Sequence, residues 1–259
     1  MIDNNLTRVL VRDKKFLSIY VTAGYPKLND TAHIVKQLAS KQVDFIELGM
    51  PFSDPMADGP VIQETSSVAI NNGMTLSLYF EQVEEIRSKS SIPLVFMGYY
   101  NQIICYGIEK FYQKCEECGI DGLIIPDLPM TEYENEHQIL QEKYNLSMTF
   151  LITPQTSNER LQKIDKLTTG FIYVVSSNSI TGSTKNSSNQ TIDYLKRIGQ
   201  TVTKSQKIVG FGIHDHETFS NALAHNDGAI IGSAFLKSLN SDNLETDINN
   251  FINSLKQTS

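Results

Sequence analysis

Short apolar runs alternate with longer stretches of helical spacing along almost the whole chain. The runs are Phe16–Thr22, Phe45–Gly49, Leu94–Tyr99, Gly122–Pro126, Met148–Thr153, Phe171–Ser176, Lys207–Gly212 and Ala229–Ser233. They are nearly continuous in apolar, β-branched residues, which predicts strands buried on both faces. Between them, Thr31–Ser40, Tyr79–Ser88, Glu109–Cys118, Thr131–Lys143, Asn158–Leu167 and His216–Ala224 predict helices. Asn29-Asp30-Thr31 predicts a capped start, Thr131-Glu132-Tyr133-Glu134 resembles a capping box, and Asp215 precedes the last helix.

Strict strand–helix alternation implies parallel strands joined by right-handed crossovers. Eight such units without a break in composition predict an α/β fold closed into a (β/α)8 barrel, a TIM barrel with extra helices. At about 150 residues per domain the length of 259 allows one domain or two, but such barrels fill about 250 residues as one. One domain over residues 1–259 is the expectation. An open dinucleotide-binding sheet would carry G-x-G-x-x-G in its first turn, and Ala23-Gly24-Tyr25-Pro26 does not match it.

Two connections are long. Met50–Gly59 is rich in Pro, Asp and Gly, and Ser176–Thr191 is almost wholly Ser, Asn, Thr, Gly and Lys. They follow the C-terminal ends of the second and sixth strands, the face on which barrels do chemistry. Ser176–Thr191 reads as a long mobile loop after strand 6 that serves as a lid, with an inert loop as the alternative.

Composition narrows the partners. A net charge of −7, with no clustered basic patch, argues against nucleic acid. No apolar run approaches the roughly 18–20 residues of a membrane span, and Met1–Asp13 has no signal-peptide core. Cys105, Cys115 and Cys118 are an odd number in a large chain, which fits a reducing cytoplasm. Cys115-Glu116-Glu117-Cys118 matches C-x-x-C, but it falls late in a helix and no second pair completes a zinc site. His214-Asp215-His216 converges poorly for a metal at a helix start, and no metal or cofactor is expected.

Candidate chemistry concentrates in Glu47–Pro60. A carboxylate inside the apolar strand Phe45-Ile46-Glu47-Leu48 should point into the barrel mouth, since the helix layer would bury an unpaired charge. Desolvation there raises its pKa toward the range of acid–base catalysis. Asp54 and Asp58 follow in a loop stiffened by Pro51, Pro55 and Pro60, and one of them can face Glu47 as a second carboxylate with a different role. The alternative makes them turn and cap residues, with Glu47 in a salt bridge. A second cluster, Gly210, Gly212, Gly232 and Ser233, lies at the ends of the last two strands, where backbone N–H groups bind phosphate; Gly182 in the lid could close the same site. Tyr20, Tyr99 and Tyr173 could line a flat apolar pocket or sit in the core.

The segment Glu47-Leu48-Gly49-Met50-Pro51-Phe52-Ser53-Asp54-Pro55-Met56-Ala57-Asp58-Gly59-Pro60 resembles the signature of the tryptophan synthase alpha chain family. Tyr20–Gly24, Tyr99–Asn101 with Gly107, Asp121–Pro129, Thr181-Gly182, Gly210–Ile213 and Gly232-Ser233 follow in the family's order, so the resemblance covers essentially the whole chain. It implies a retro-aldol lyase that cleaves indole-3-glycerol phosphate to indole and glyceraldehyde 3-phosphate. It further implies Glu47 as the acid/base and Asp58 as the carboxylate that holds the indole N–H. Tyr173 would lie near Glu47, and Tyr99 in the indole pocket. Gly182, Gly212, Gly232 and Ser233 would cradle the phosphate, with Phe211 beside the ring. Thr181 would meet Asp58 on lid closure, and Asp127 would support the site from strand four.

The family also implies a partner, a tryptophan synthase beta chain that uses pyridoxal phosphate, in an α2β2 tetramer to which indole is passed for tryptophan biosynthesis. The alternative is a stand-alone lyase that releases free indole. Ser177 and Ser179 motivate it, because they stand where some members carry arginine and glycine in the lid.

Overall fold

The structure, a computed structural model, describes residues 2–175, 194–210, 212–239 and 242–256. Eight parallel strands close in sequence order: β1 (Phe16–Thr22), β2 (Phe45–Gly49), β3 (Leu94–Met97), β4 (Gly122–Ile124), β5 (Ser147–Ile152), β6 (Ile172–Val175), β7 (Lys207–Gly210) and β8 (Gly228–Ile231). β1 pairs with β8 through Leu17 opposite Ala229, which shuts the barrel and leaves no sheet edge. The expected TIM barrel is therefore what the chain forms.

Paired residues of neighbouring parallel strands face the same side, and alternate residues face opposite sides. Tyr20, Glu47 and Val95 stand in one row of the register, as do Leu151, Tyr173 and Ile208. The Phe45 and Phe171 rings meet at 5.2 Å between centroids, which puts both inside the barrel. The other face of each strand takes the helices. Ile34, Val35 and Leu38 of helix Thr31–Ala39 are buried, as are Phe111, Tyr112, Cys115 and Cys118 of helix Ile108–Cys118. Cys115 and Cys118 are thus core residues with free thiols.

Several local expectations need correction. The strand expected over Leu94–Tyr99 stops at Met97, because Tyr99 is already the N-cap of helix Tyr100–Tyr106. Asp30 precedes its helix without a side-chain cap; its carboxylate accepts from the Lys27 N–H instead. The Thr131–Glu134 capping box is absent, since the helix already begins at Met130 behind Pro129. A π-helical turn, Tyr133–His137, then interrupts that helix. Asp215, in contrast, caps helix His216–His225 through the Thr218 N–H at 2.8 Å.

Helices Asn5–Leu10, Pro60–Asn71 and Leu244–Lys256 add to the expected set. Asn5–Leu10 is tied beneath the barrel by the buried Asp121 carboxylate, which accepts from the Asn5 and Leu94 N–H groups and pairs with Arg87 at 2.5 Å. No helix among the described residues is long and apolar enough to cross a membrane.

Candidate active site

A pocket opens at the C-terminal ends of the strands. Its lining includes Tyr20 from β1, Met97 from β3, Tyr173 from β6 and Ile230 from β8. Asp58, Gly59 and Ile62 close one side; Gly212, Ile213, Gly232 and Ser233 close another. The lining thus combines glycines and a hydroxyl, apolar and aromatic side chains, and one carboxylate.

Two glycines make room for the tyrosines. A Cβ on Gly49 would collide with the Tyr20 hydroxyl and reach within 2.7 Å of its Cε2. A Cβ on Gly210 would collide with the Tyr173 hydroxyl and reach within 2.5 Å of its Cε1. Each ring thus lies in a notch cut by a glycine on another strand.

Glu47 lies in the same register row as Tyr20, fully buried, and is absent from the pocket lining. Neither carboxylate oxygen has a hydrogen-bond partner among the described residues. Burial without a partner penalises the charged form and pushes its pKa up to about 8. The group is therefore stored protonated at neutral pH, and among the described residues no salt bridge holds it.

Asp58 stands just ahead of helix Pro60–Asn71, for which Gly59 is the N-cap and Pro60 the first residue. Its backbone is fixed on both sides: its N–H donates to the Pro55 carbonyl at 3.1 Å, and its carbonyl accepts from Gln63 Nε2 at 2.8 Å. Burial raises its pKa to about 6, partly offset by a hydrogen bond from the Tyr99 hydroxyl. That hydroxyl also accepts from the Ala57 N–H at 3.0 Å, and the Tyr99 ring stacks on Phe52 at 5.0 Å. Asp54 is exposed and does not line the pocket. The two candidate carboxyls thus differ in state near pH 7: Glu47 mostly neutral, Asp58 mostly charged.

Of the expected site residues, Tyr20, Asp58, Tyr173, Gly212, Gly232 and Ser233 come together in the pocket lining, and Tyr99 touches it through Asp58. Thr181, Gly182 and Phe211 lie outside the described residues, as do the lid expected over Ser176–Thr191 and its Ser177 and Ser179. Asp127 is exposed and accepts from the Tyr100 N–H at 2.8 Å, capping a helix beside the site. His214 and His216 point apart, onto the Gly212 and Leu255 carbonyls. No cluster suited to a metal occurs among the described residues.

Sequence reasoning missed Met97, Ile230, Ile62 and Ile213. The first two were within reach, since each stands two residues before a residue already singled out, Tyr99 and Gly232, and strand side chains repeat every second position. Ile62 carries no such signal, because the loop before it sets which way its helix faces.

The profile of the family described as "Tryptophan synthase alpha chain" matches residues 6–258. The alpha chain of Flavobacterium psychrophilum is 52% identical over 252 residues, covering 97% of this chain and 99% of that one. That of Christiangramia forsetii is 52% identical, covering 98% of each. A solved tryptophan synthase complex from Pyrococcus furiosus contains a chain that is 32% identical with a TM-score of 0.83, covering 99% of both. With its full length matched at this identity, the chain belongs to the tryptophan synthase alpha chain family, a family of lyases in tryptophan biosynthesis.

Proposed function

We propose that Glu47 and Asp58 divide the acid–base and electrostatic work of a retro-aldol cleavage of indole-3-glycerol phosphate. The observation that carries this reading is the pair of carboxyls on either side of the pocket tyrosines: Glu47, buried beside Tyr20 and stored neutral, and Asp58, in the pocket lining and charged. The Glu47 carboxyl gives its proton to ring carbon C3. The indole becomes a cation, and Asp58, accepting the ring N–H, stabilises the charge where it develops. The bond from C3 to the glycerol chain then breaks, its electron pair restores the aromatic ring, and the chain hydroxyl returns a proton to Glu47. Indole and glyceraldehyde 3-phosphate result, with the acid regenerated. Tyr20, Tyr99, Tyr173 and Met97 flank the ring; Gly212, Gly232 and Ser233 hold the phosphate, with Thr181, Gly182 and Phe211 assigned by family resemblance.

Residues 1–259 act as one domain in this reading. Three free cysteines fit a reducing cytoplasm. The partner is a pyridoxal-phosphate-dependent beta chain in an α2β2 assembly. Relatives crystallised as tryptophan synthase complexes support it. So do Met56 and Ile104, large apolar side chains that are 88% and 51% exposed on two elements tied by the Gln102–Pro51 hydrogen bond. The lyase itself needs no cofactor.

The test is release of indole by the purified chain, alone and with a beta chain. Acceleration by the beta chain is expected; equal rates would favour the stand-alone lyase, and no indole in either case would defeat the proposal. Activity needs Asp58 charged and Glu47 protonated, so kcat/KM should rise through about pH 6 and fall above about pH 8. A profile flat from pH 5 to 9 would remove these assignments. Gly210→Ala forces the Tyr173 ring out of its notch and should lower kcat/KM by roughly 100-fold, the scale of a 1 Å misplacement. Unchanged kinetics would show that the ring position is immaterial.

A further inference from the structure

Helix Tyr100–Tyr106 is seven residues long and buries only Ile103. Beyond it only the half-buried Tyr100 and Tyr106 rings pack against the core, so polar bonds share in placing a helix that carries much of the Asp58 loop. Gln102 donates from Nε2 to the Pro51 carbonyl at 2.9 Å and accepts from the Tyr99 N–H at 3.1 Å. Tyr99, its N-cap, bonds the Ala57 N–H and the Asp58 carboxylate.

The helix is held from outside the pocket by His137. This residue ends the π-turn Tyr133–His137 and is fully buried. Its Nδ1 shares a hydrogen bond with the Tyr112 hydroxyl at 2.9 Å, and its Nε2 with the Tyr100 hydroxyl at 3.2 Å. Burial pushes its pKa down, so the ring is neutral and uses one nitrogen as donor and the other as acceptor. Tyr112 is itself fully buried, which makes the histidine a fixed post. A π-turn adds one residue to a helical turn and swings the side chain that follows; such turns often occur at functional sites.

We propose that His137, acting through the Tyr100 hydroxyl, is a positioning residue that sets the first turn of helix Tyr100–Tyr106 and thereby aims Asp58 at the indole N–H. The inference rests on the role proposed above for Asp58. His137 touches no substrate; it acts in sequence through Tyr100, Tyr99 and the 51–58 loop.

Two ligands separate this role from general support of the fold: indolepropanol phosphate, which needs the Asp58 end of the pocket, and glycerol 3-phosphate, which needs only the phosphate end. Tyr100→Phe removes the hydroxyl and keeps the ring. It should weaken indolepropanol phosphate roughly 5- to 10-fold, the scale of one lost hydrogen bond, and leave glycerol 3-phosphate binding unaltered. In an Asp58→Ala background, where there is no acceptor left to aim, the same change should cost nothing further. His137→Gln, whose amide keeps a donor and an acceptor, should hold closer to the wild-type preference than His137→Leu. Wild-type affinity of Tyr100→Phe for both ligands, or equal weakening of both, overturns the inference while leaving the role of Asp58 intact. If Asp58→Ala, which removes the acceptor, itself binds indolepropanol phosphate like the wild type, the role of Asp58 falls and the inference falls with it.

Discussion

Glu47→Gln is expected to lower kcat for indole-3-glycerol phosphate cleavage by about 1000-fold, within the range of removing a general acid–base group. The amide matches the carboxyl in shape and cannot give a proton to C3. The fold should survive, because the native side chain makes no hydrogen bond among the described residues and is already neutral at pH 7. Retained turnover would take Glu47 out of the reaction.

The same variant has a stability signature. The Glu47 pKa lies near 8 in the fold against an ordinary 4.5, so folding favours its protonated form. Its contribution is complete below about pH 4.5 and is lost as the pH rises toward 8, an amount on the order of 5 kcal/mol. The wild type should therefore lose more stability between pH 5 and 9 than Glu47→Gln, a difference that thermal unfolding at the two pH values measures. Parallel losses would mean that Glu47 ionises freely in the folded protein.

Asp58→Asn is expected to lower kcat/KM by about 100- to 1000-fold, the range for losing an electrostatic group at a transition state. The amide oxygen can still accept the indole N–H but no longer carries charge to balance the ring cation. The bonds that hold the 51–58 loop through the Asp58 N–H and carbonyl are backbone bonds and should persist. The rise in kcat/KM near pH 6 should disappear, leaving only the fall near 8. If that rise stayed, it would belong to another group.

Much of the architecture was readable in the chain. Strands buried on both faces give apolar runs that need no knowledge of their neighbours, and eight of them with helical spacers leave few topologies other than a barrel. Helix Pro60–Asn71 escaped because it buries Thr65, Ser66 and Ala69, which leave no hydrophobic period. The π-turn at Tyr133–His137 escaped because one inserted residue hardly alters a helical pattern. The cap expected from Asp30 failed because its carboxylate accepts from the backbone N–H of Lys27 instead.

The eight strands, their order and a carboxylate inside the second of them were legible in the chain, since these depend on local pattern; family resemblance, not pattern, favoured Asp58 over Asp54 as its partner. The environments of those carboxyls come from the tertiary structure. A glutamate becomes a stored acid when barrel closure removes its water and offers no partner, and an aspartate stays charged when a tyrosine from another strand's helix supports it. The notches at Gly49 and Gly210 and the His137 post behind Tyr100 arise in the same way. Desolvation and contact are properties of groups far apart in the chain, and they come into being only when the barrel brings those groups together.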